Sequence, residues 1–310
     1  MSVLISGSIA YDNILSFPGR FGEHIIAESL DHINLTFLVS SMVKNYGGCA
    51  ANIAYSLKML GGSPIVIGAL GKDGGDYQKR FDDLGIETSI CRLDSTFSAQ
   101  SFVITDQTGS QIAAFSQGAM EQAQKASFPD NRPIELALLG PDGLSAMVER
   151  RRQLTARHIP FIYDIGQSAS QFDGEEIRRF IEAASCIAAS RYEMELITQK
   201  TRYKTADITA MGKSLVVTDG ERGSTVYTPA GELMVPAVRV HAVDPVGAGD
   251  AFRGGILYGM SRKFDWETTL RLGSVMASFK VENQGAQNYS ATQAQIRARF
   301  ESAYGQSVNL

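Results

Sequence analysis

Asp244-Pro245-Val246-Gly247-Ala248-Gly249-Asp250-Ala251-Phe252-Arg253-Gly254-Gly255 is the stretch with the clearest chemical logic in this sequence. Gly247, Ala248 and Gly249 leave backbone amides uncovered, and Ala251, Phe252, Ile256 and Leu257 begin an apolar run at helical spacing directly after them. A helix N-terminus therefore points into a loop of small residues. Its unpaired first-turn amides and the positive end of the macrodipole suit a phosphate or a developing anion. Asp250 stands beside that site, where a carboxylate would repel a resting phosphate. It makes chemical sense as the base that takes a proton from an alcohol attacking phosphorus. As a bare first-turn helix acid it would leave the small residues before it unexplained.

A second stretch repeats the logic. Asn45-Tyr46-Gly47-Gly48-Cys49-Ala50-Ala51-Asn52 opens an amphipathic helix running to Leu60, and its paired glycines allow close approach of backbone to a ligand. Asn52, about one turn inside, is placed to reach the same ligand with its amide. Asp12, after the strand Val3 to Ile9, reads either as an acceptor for the vicinal hydroxyls of a sugar or as a turn aspartate. Glu193, just after a strand, reads either as a carboxylate orienting Mg²⁺ through water or as a first-turn helix acid. The turn after Ser214 to Asp219, holding Gly220 and Gly223, suits a nucleotide's phosphates or a plain hairpin. The tail from Ala277 to Gly285 begins as a helix and is placed to close over a purine ring.

These residues need a scaffold. Strands at Pro64 to Leu70, Ser89 to Leu93, Glu135 to Leu139, Phe161 to Ile165 and Cys186 to Ala188 alternate with helices at Gly74 to Leu84, Leu144 to Arg157, Glu175 to Ala184 and Tyr192 to Thr198. Such alternation predicts an α/β chain with a mostly parallel sheet covered on both faces. Broken alternation from Ile14 to about Lys44, and two runs joined by a turn between Ala99 and Phe115, predict a small β element acting as one lid. Arg150-Arg151-Arg152 reads as a solvated helix face.

Composition bounds the function. At 310 residues with 44% hydrophobic and 20% charged residues, the chain suits an ordinary globular protein of one large or two unequal domains. A net charge of -4 argues against a nucleic-acid partner. No long apolar segment predicts a membrane span. Cys49, Cys91 and Cys186 form no Cys-x-x-Cys pair, which suits a reducing cytoplasm without zinc or disulfides. Neither a P-loop nor a Gly-x-Gly-x-x-Gly after the first strand is present, so phosphate binding must use another design.

The chain resembles the ribokinase-like (PfkB) sugar and nucleoside kinases. Both signatures of that family are present: Gly47 to Ala54, followed at family spacing by Gly61 and Gly71, and Asp244 to Leu257. The resemblance implies one kinase domain over residues 1–310, a doubly wound, mostly parallel sheet flanked by helices. A β-sheet lid from about 14–44 and 99–116 would be inserted in it. It implies transfer of the γ-phosphate of ATP with Mg²⁺, with Asp250 as catalytic base and the amides of Gly247, Ala248 and Gly249 as anion hole. Asp12, Gly47, Gly48 and Asn52 would hold the ribose hydroxyls; Thr218, Gly220 and Gly223 would line ATP, with Gly285 near the adenine. Glu193 matches the magnesium-water glutamate of the family, although Ser190 replaces the usual Asn. Pro245 replaces the more frequent Thr, which leaves Asp244 and Val246 available to a monovalent-cation (K⁺) loop such as many members use.

Looser patterns, Gly7 to Asp12, Gln111 to Phe115, Tyr163 to Gln167 and Glu282 to Tyr289, look like bacterial adenosine or broad-specificity nucleoside kinases. The expected acceptor is therefore a nucleoside 5′-hydroxyl, adenosine first. The alternatives are a free sugar such as ribose or fructose, or a binding regulator that has lost catalysis. Phe37, Met42 and Phe115 would wall the base, or else pack a core. Lid strands pair between subunits in some members of that family, so both monomer and homodimer are compatible with the sequence.

Overall fold

The run Val3-Leu4-Ile5 does not alternate with polar residues because neither face of its strand meets water. Val3 and Ile5 enter one hydrophobic core and Leu4 another, on opposite sides of a sheet. A computed structural model describes residues 2–25 and 34–310; of the expected lid segment, 26–33 lie outside the described residues.

In chain order the first elements are β1 (Ser2–Ser6), β2 (Ala10–Ser16), β3 (Ser41–Gly47), α1 (Cys49–Met59), β4 (Ser63–Gly71), α2 (Gly75–Leu84), β5 (Glu87–Leu93), β6 (Ala99–Thr105) and β7 (Gln111–Ser116). Next come β8 (Leu136–Leu139), α3 (Leu144–Ala156), β9 (Phe161–Asp164), α4 (Gly174–Ala183), β10 (Cys186–Ser190) and α5 (Arg191–Thr201). Then α6 (Thr205–Ala210), β11 (Ser214–Thr218), β12 (Ser224–Thr228), β13 (Gly231–Val235), α7 (Ala248–Ser261), α8 (Trp266–Val281) and α9 (Gln293–Tyr304) complete the chain.

Nine strands form one sheet in the order β13-β12-β11-β10-β9-β8-β1-β4-β5. It is parallel from β11 to β5, and β12 and β13 extend it antiparallel. The core carrying Val3 and Ile5 is covered by apolar residues of α1, α7 and α8, and the core carrying Leu4 by those of α3, α4 and α5. The turn at Gly220 and Gly223 is the hairpin between β11 and β12. No described helix is long and apolar enough to cross a membrane.

A second sheet has the order β3-β2-β6-β7. Its β2 begins at Ala10, so Asp12 belongs to a strand of this sheet and not to a turn closing β1. The small residues Gly7 and Ser8 break the chain between β1 and β2, which sequence alternation alone did not resolve. Arg150 also departs from expectation. It is 1% exposed and donates to the Ala123 and Ala126 carbonyls, binding α3 to the segment before β8. A charge run on a helix says nothing about which member faces inward: Arg151 is largely covered and pairs with Glu176 of α4 at 3.0 Å, and only Arg152 is exposed.

α7 and α8 approach more closely than side chains allow. A Cβ on Gly255 would stand 2.5 Å from Gly273 Cα and 2.7 Å from its nitrogen. The helix that begins with the Gly247 loop is thereby pressed backbone to backbone against α8. Gly255→Ala should lower stability by about 1–3 kcal/mol through overpacking. A lower urea midpoint at unchanged slope would show it, and an unchanged midpoint would mean the helices part without cost.

Candidate active site

At the C-terminal edge of the parallel strands, α7 turns in through Gly247, its N-cap, at φ +79. That left-handed conformation closes a turn in which the Ala248 amide donates to Pro245 O at 3.1 Å. The expectation that Ala248 offers a free amide is therefore corrected: this N–H is spent inside the turn. Among the described residues, the amides of Gly247, Gly249 and Asp250 donate to no protein acceptor, so Asp250 brings an amide as well as a carboxylate to the helix end. Three donors at the positive end of a helix can hold an anion.

Asp250 accepts a hydrogen bond from Asn52 Nδ2 at 2.8 Å. Part of its surface opens to the cleft, yet the carboxyl is packed closely enough that desolvation pushes its pKa up to about 7. The Asn52 bond and Arg253 pull the other way, while Asp164 and Asp12 add to the rise. Asn52 thus directs its amide at Asp250 where a ligand contact was expected. Its Oδ1 accepts from Gln287 Nε2 at 2.9 Å, and that same nitrogen lies 2.8 Å from the Tyr77 hydroxyl. Tyr77 in turn donates to Gly47 O at 2.6 Å. One buried chain of hydrogen bonds runs from Gly47 through Tyr77, Gln287 and Asn52 to Asp250.

The two glycines of the first motif have separate reasons. A Cβ on Gly47 would lie 2.0 Å from Asp12 Oδ2, and one on Gly48, at φ +88, would lie 2.6 Å from Ala10 N and Ser8 O. Strand β3 can pass Asp12 and enter α1 only without side chains there. Asp12 accepts from Ser101 Oγ at 2.8 Å. Burial raises its pKa, with Asp244 adding to the rise and the Ser101 bond opposing it.

Register sorts the expected base wall. Asn45, Asp12, Ser101 and Phe115 are successive partners across β3, β2, β6 and β7, so they leave the same face of the second sheet. Phe115 is on that face and exposed. Met42 pairs with Leu15 and points to the other face, which corrects its placement beside Phe115. Phe37 packs against Phe17, Phe21 and His24 at the outer end of the sheet, with ring centroids 5.0 Å from both phenylalanines. The alternation that predicted these strands carries no information about which parity faces the cleft.

Arg253, one turn after Asp250, makes a bidentate pair with Asp164 at the end of β9, at 3.0 and 2.9 Å. It ties α7 to the parallel sheet. Its guanidinium also lies 3.9 Å from Glu193 Oε2. Glu193 forms a capping box with Ser190: Oε2 accepts from Ser190 N at 2.6 Å while Glu193 N donates to Ser190 Oγ at 3.2 Å. Ser190 therefore serves as the cap of α5, and Glu193 keeps Oε1 for other partners. Among the described residues, no group of three or more His, Cys, Asp or Glu could grip a metal directly. Glu193 fits Mg²⁺ held through water, the mode that ion favours because it keeps its hydration.

Thr218 ends β11, and the following turn is held by Asp219, whose carboxylate binds Arg222 Nε at 2.8 Å and also pairs with Arg191. Gly220 is open at φ +56, while a Cβ on Gly223 would lie 2.1 Å from Val235 O. Gly285 is drawn under the Gly247 loop: its amide donates to Asp244 Oδ2 at 2.8 Å, and the other carboxylate oxygen takes the Val246 amide at 2.9 Å. The cation beside Asp244 is the ammonium of Lys280, 3.4 Å from Oδ2. Asp164, Gln287 and Arg253 fell inside the quoted motifs without being given a role, and Tyr77 and Lys280 lay outside the motifs. Arg253 also carried a physical signal, as a charge in the apolar first turns of α7.

A family model described as pfkB family carbohydrate kinase matches residues 23–293. The nucleoside kinase of Burkholderia thailandensis in complex with inosine is 42% identical, covering 99% of this chain and 100% of that one, with a TM-score of 0.89. In complex with ADP-inosine it aligns at 44% identity over 98% of this chain and 97% of that one, with a TM-score of 0.86. The nucleoside kinase of Methanocaldococcus jannaschii is 26% identical over 278 residues, 88% of this chain and 91% of that protein.

The raised pKa has a consequence for stability. The folded chain holds the Asp250 proton more tightly than the unfolded chain, whose pKa is near 3.8. Ionising this carboxyl therefore costs stability progressively as pH rises from about 4, and the full cost is reached above about 7. Asp250→Asn should raise the melting temperature, with a larger gain near about pH 8 than near about pH 5. Equal gains at both would show that the carboxyl is not desolvated.

Proposed function

The chain belongs to the pfkB family of carbohydrate kinases, and from that premise we propose that it is an ATP-dependent nucleoside kinase acting on the 5′-hydroxyl of a purine nucleoside. One observation carries the reading: near-complete alignment, at 42% identity, with a nucleoside kinase that holds inosine. The local chemistry agrees with it. Adenosine remains the acceptor expected from sequence, and inosine is the ligand of the relative.

In this reading the nucleoside lies between Asp12 and Asp250. Asp12, fixed by Ser101, accepts hydrogen bonds from the ribose hydroxyls, and Gly47 and Gly48 let the sugar approach the backbone. Phe115 supplies an apolar wall from the same face of the second sheet, which acts as a lid. Asp250, with a proton affinity matched to neutral pH, takes the 5′-hydroxyl proton as the oxygen attacks the γ-phosphorus. The amides of Gly247, Gly249 and Asp250 hold the equatorial oxygens of the transferring group. ATP lies along the Thr218 to Gly223 turn and reaches toward Gly285. Magnesium, when bound, neutralises phosphate charge, and Glu193 would hold its water shell.

The deciding assay measures ADP release with adenosine, inosine, guanosine, cytidine, ribose and fructose. A purine nucleoside should give the highest kcat/KM; release with a free sugar alone would overturn the acceptor. Below about pH 7 the protonated base is inactive, so kcat/KM should rise through that value and level above it. Asp250→Asn should lower kcat by roughly 100- to 10,000-fold, the usual contribution of a general base. A folded variant with unchanged kcat would remove Asp250 from the chemistry.

A further inference from the structure

Lys280 is 0% exposed, a rare state for a lysine. It lies in the last turn of α8. Its Nζ donates to Asp244 O at 2.7 Å and to Asn283 O at 3.0 Å, and stands 3.4 Å from Asp244 Oδ2. Three oxygens surround it, and the three protons of an ammonium match them where a neutral amine would not. Burial lowers its pKa, while the charge of Asp244 and its hydrogen bond oppose that fall. Two carbonyls and one carboxylate oxygen form the kind of shell that a hard alkali cation takes.

The loops around this ammonium are those of the site. Asp244 begins the segment that leads to Gly247, and its carboxylate holds the amides of Val246 and Gly285. Val243 and Asp244 donate their own amides to Val281 O, at 2.7 and 3.0 Å. A Cβ on Gly247 would lie 2.8 Å from Ala286 Cβ and 3.8 Å from Lys280 Cε. The anion loop thus rests on the lysine stem and on the loop that the ammonium pins. A potassium ion at Asp244 would compete for the same oxygens and meet a positive charge in contact with them. The residues present do not fit a monovalent-cation site.

We propose that Lys280 is a tethered monovalent cation: its ammonium fixes the 244–249 and 283–286 loops so that the Gly247, Gly249 and Asp250 amides converge, and turnover needs no potassium. This rests on the kinase reading above. Lys280 is a positioning residue, since it touches neither substrate nor the transferring group.

The test compares potassium chloride with tetramethylammonium chloride at equal ionic strength, with ADP measured by chromatography. The wild type should turn over equally in both. Lys280→Ala should lose about 100-fold in kcat, the scale of a loop misplaced by an ångström, with KM for the nucleoside little changed. Potassium or ammonium ions should restore much of that loss and raise the melting temperature of the variant, but not of the wild type. Wild-type turnover or melting that responds specifically to potassium would overturn the proposal. So would Lys280→Ala with full kcat, or a folded, inactive variant that neither ion restores. If Lys280→Ala does not fold, the wild-type comparison and Lys280→Met decide on the same criteria. A wild type inactive toward every acceptor would refute the kinase reading instead, and the potassium-specific melting shift would still judge Lys280.

Discussion

The hydrogen bond from Asn52 to Asp250 joins residues 198 positions apart and fixes the geometry on which the site depends. Neither partner could be held alone. Asp250 without its donor would be a partly desolvated carboxylate with one fewer favourable contact, and Asn52 without Asp250 would leave an amide unpaired inside the protein. The bond continues through Gln287 and Tyr77 to Gly47, so α1, α2, α7 and the turn before α9 meet in one network. A polar network of this kind holds its members to one arrangement because any half-made state is costly.

A second constraint acts on the same helix. The Arg253–Asp164 pair fastens α7 to β9, with both side chains almost fully buried. A buried ion pair contributes little net stability compared with well-packed apolar residues, but removing one partner leaves a stranded charge. Its value here is location. Asn52 sets the direction of the Asp250 carboxylate, and Arg253 sets where the end of its helix stands relative to the sheet.

Much of this was legible in the sequence. The two glycine motifs carried their own chemistry, and alternating strand and helix segments predicted the parallel sheet because burial on both faces leaves long apolar runs such as Val3-Leu4-Ile5. What was not legible has a common cause: it depends on pairings between distant segments. Met42 and Phe115 look equivalent as exposed apolar residues, and only strand register separates their faces. Arg150 and Lys280 look like ordinary surface cations, and only the carbonyls brought to them by folding make burial tolerable. The Ala248 amide looked free until the positive φ of Gly247 folded it back on Pro245.

The contact between Gly255 and Gly273 bears on how this sequence can change over evolutionary time. Most crowded positions in a core can drift in pairs, one residue growing as its neighbour shrinks. Here both neighbours are already the smallest residue, so no exchange of volume is open to them. A side chain at Gly255 would have to move a helix, and one at Gly273 would meet the Phe252 ring of α7 at 2.9 Å. α7 carries Asp250 and the free amides, and α8 carries Lys280. Drift at a site distant from the chemistry would therefore be felt as a change in the spacing of the two helices that build it.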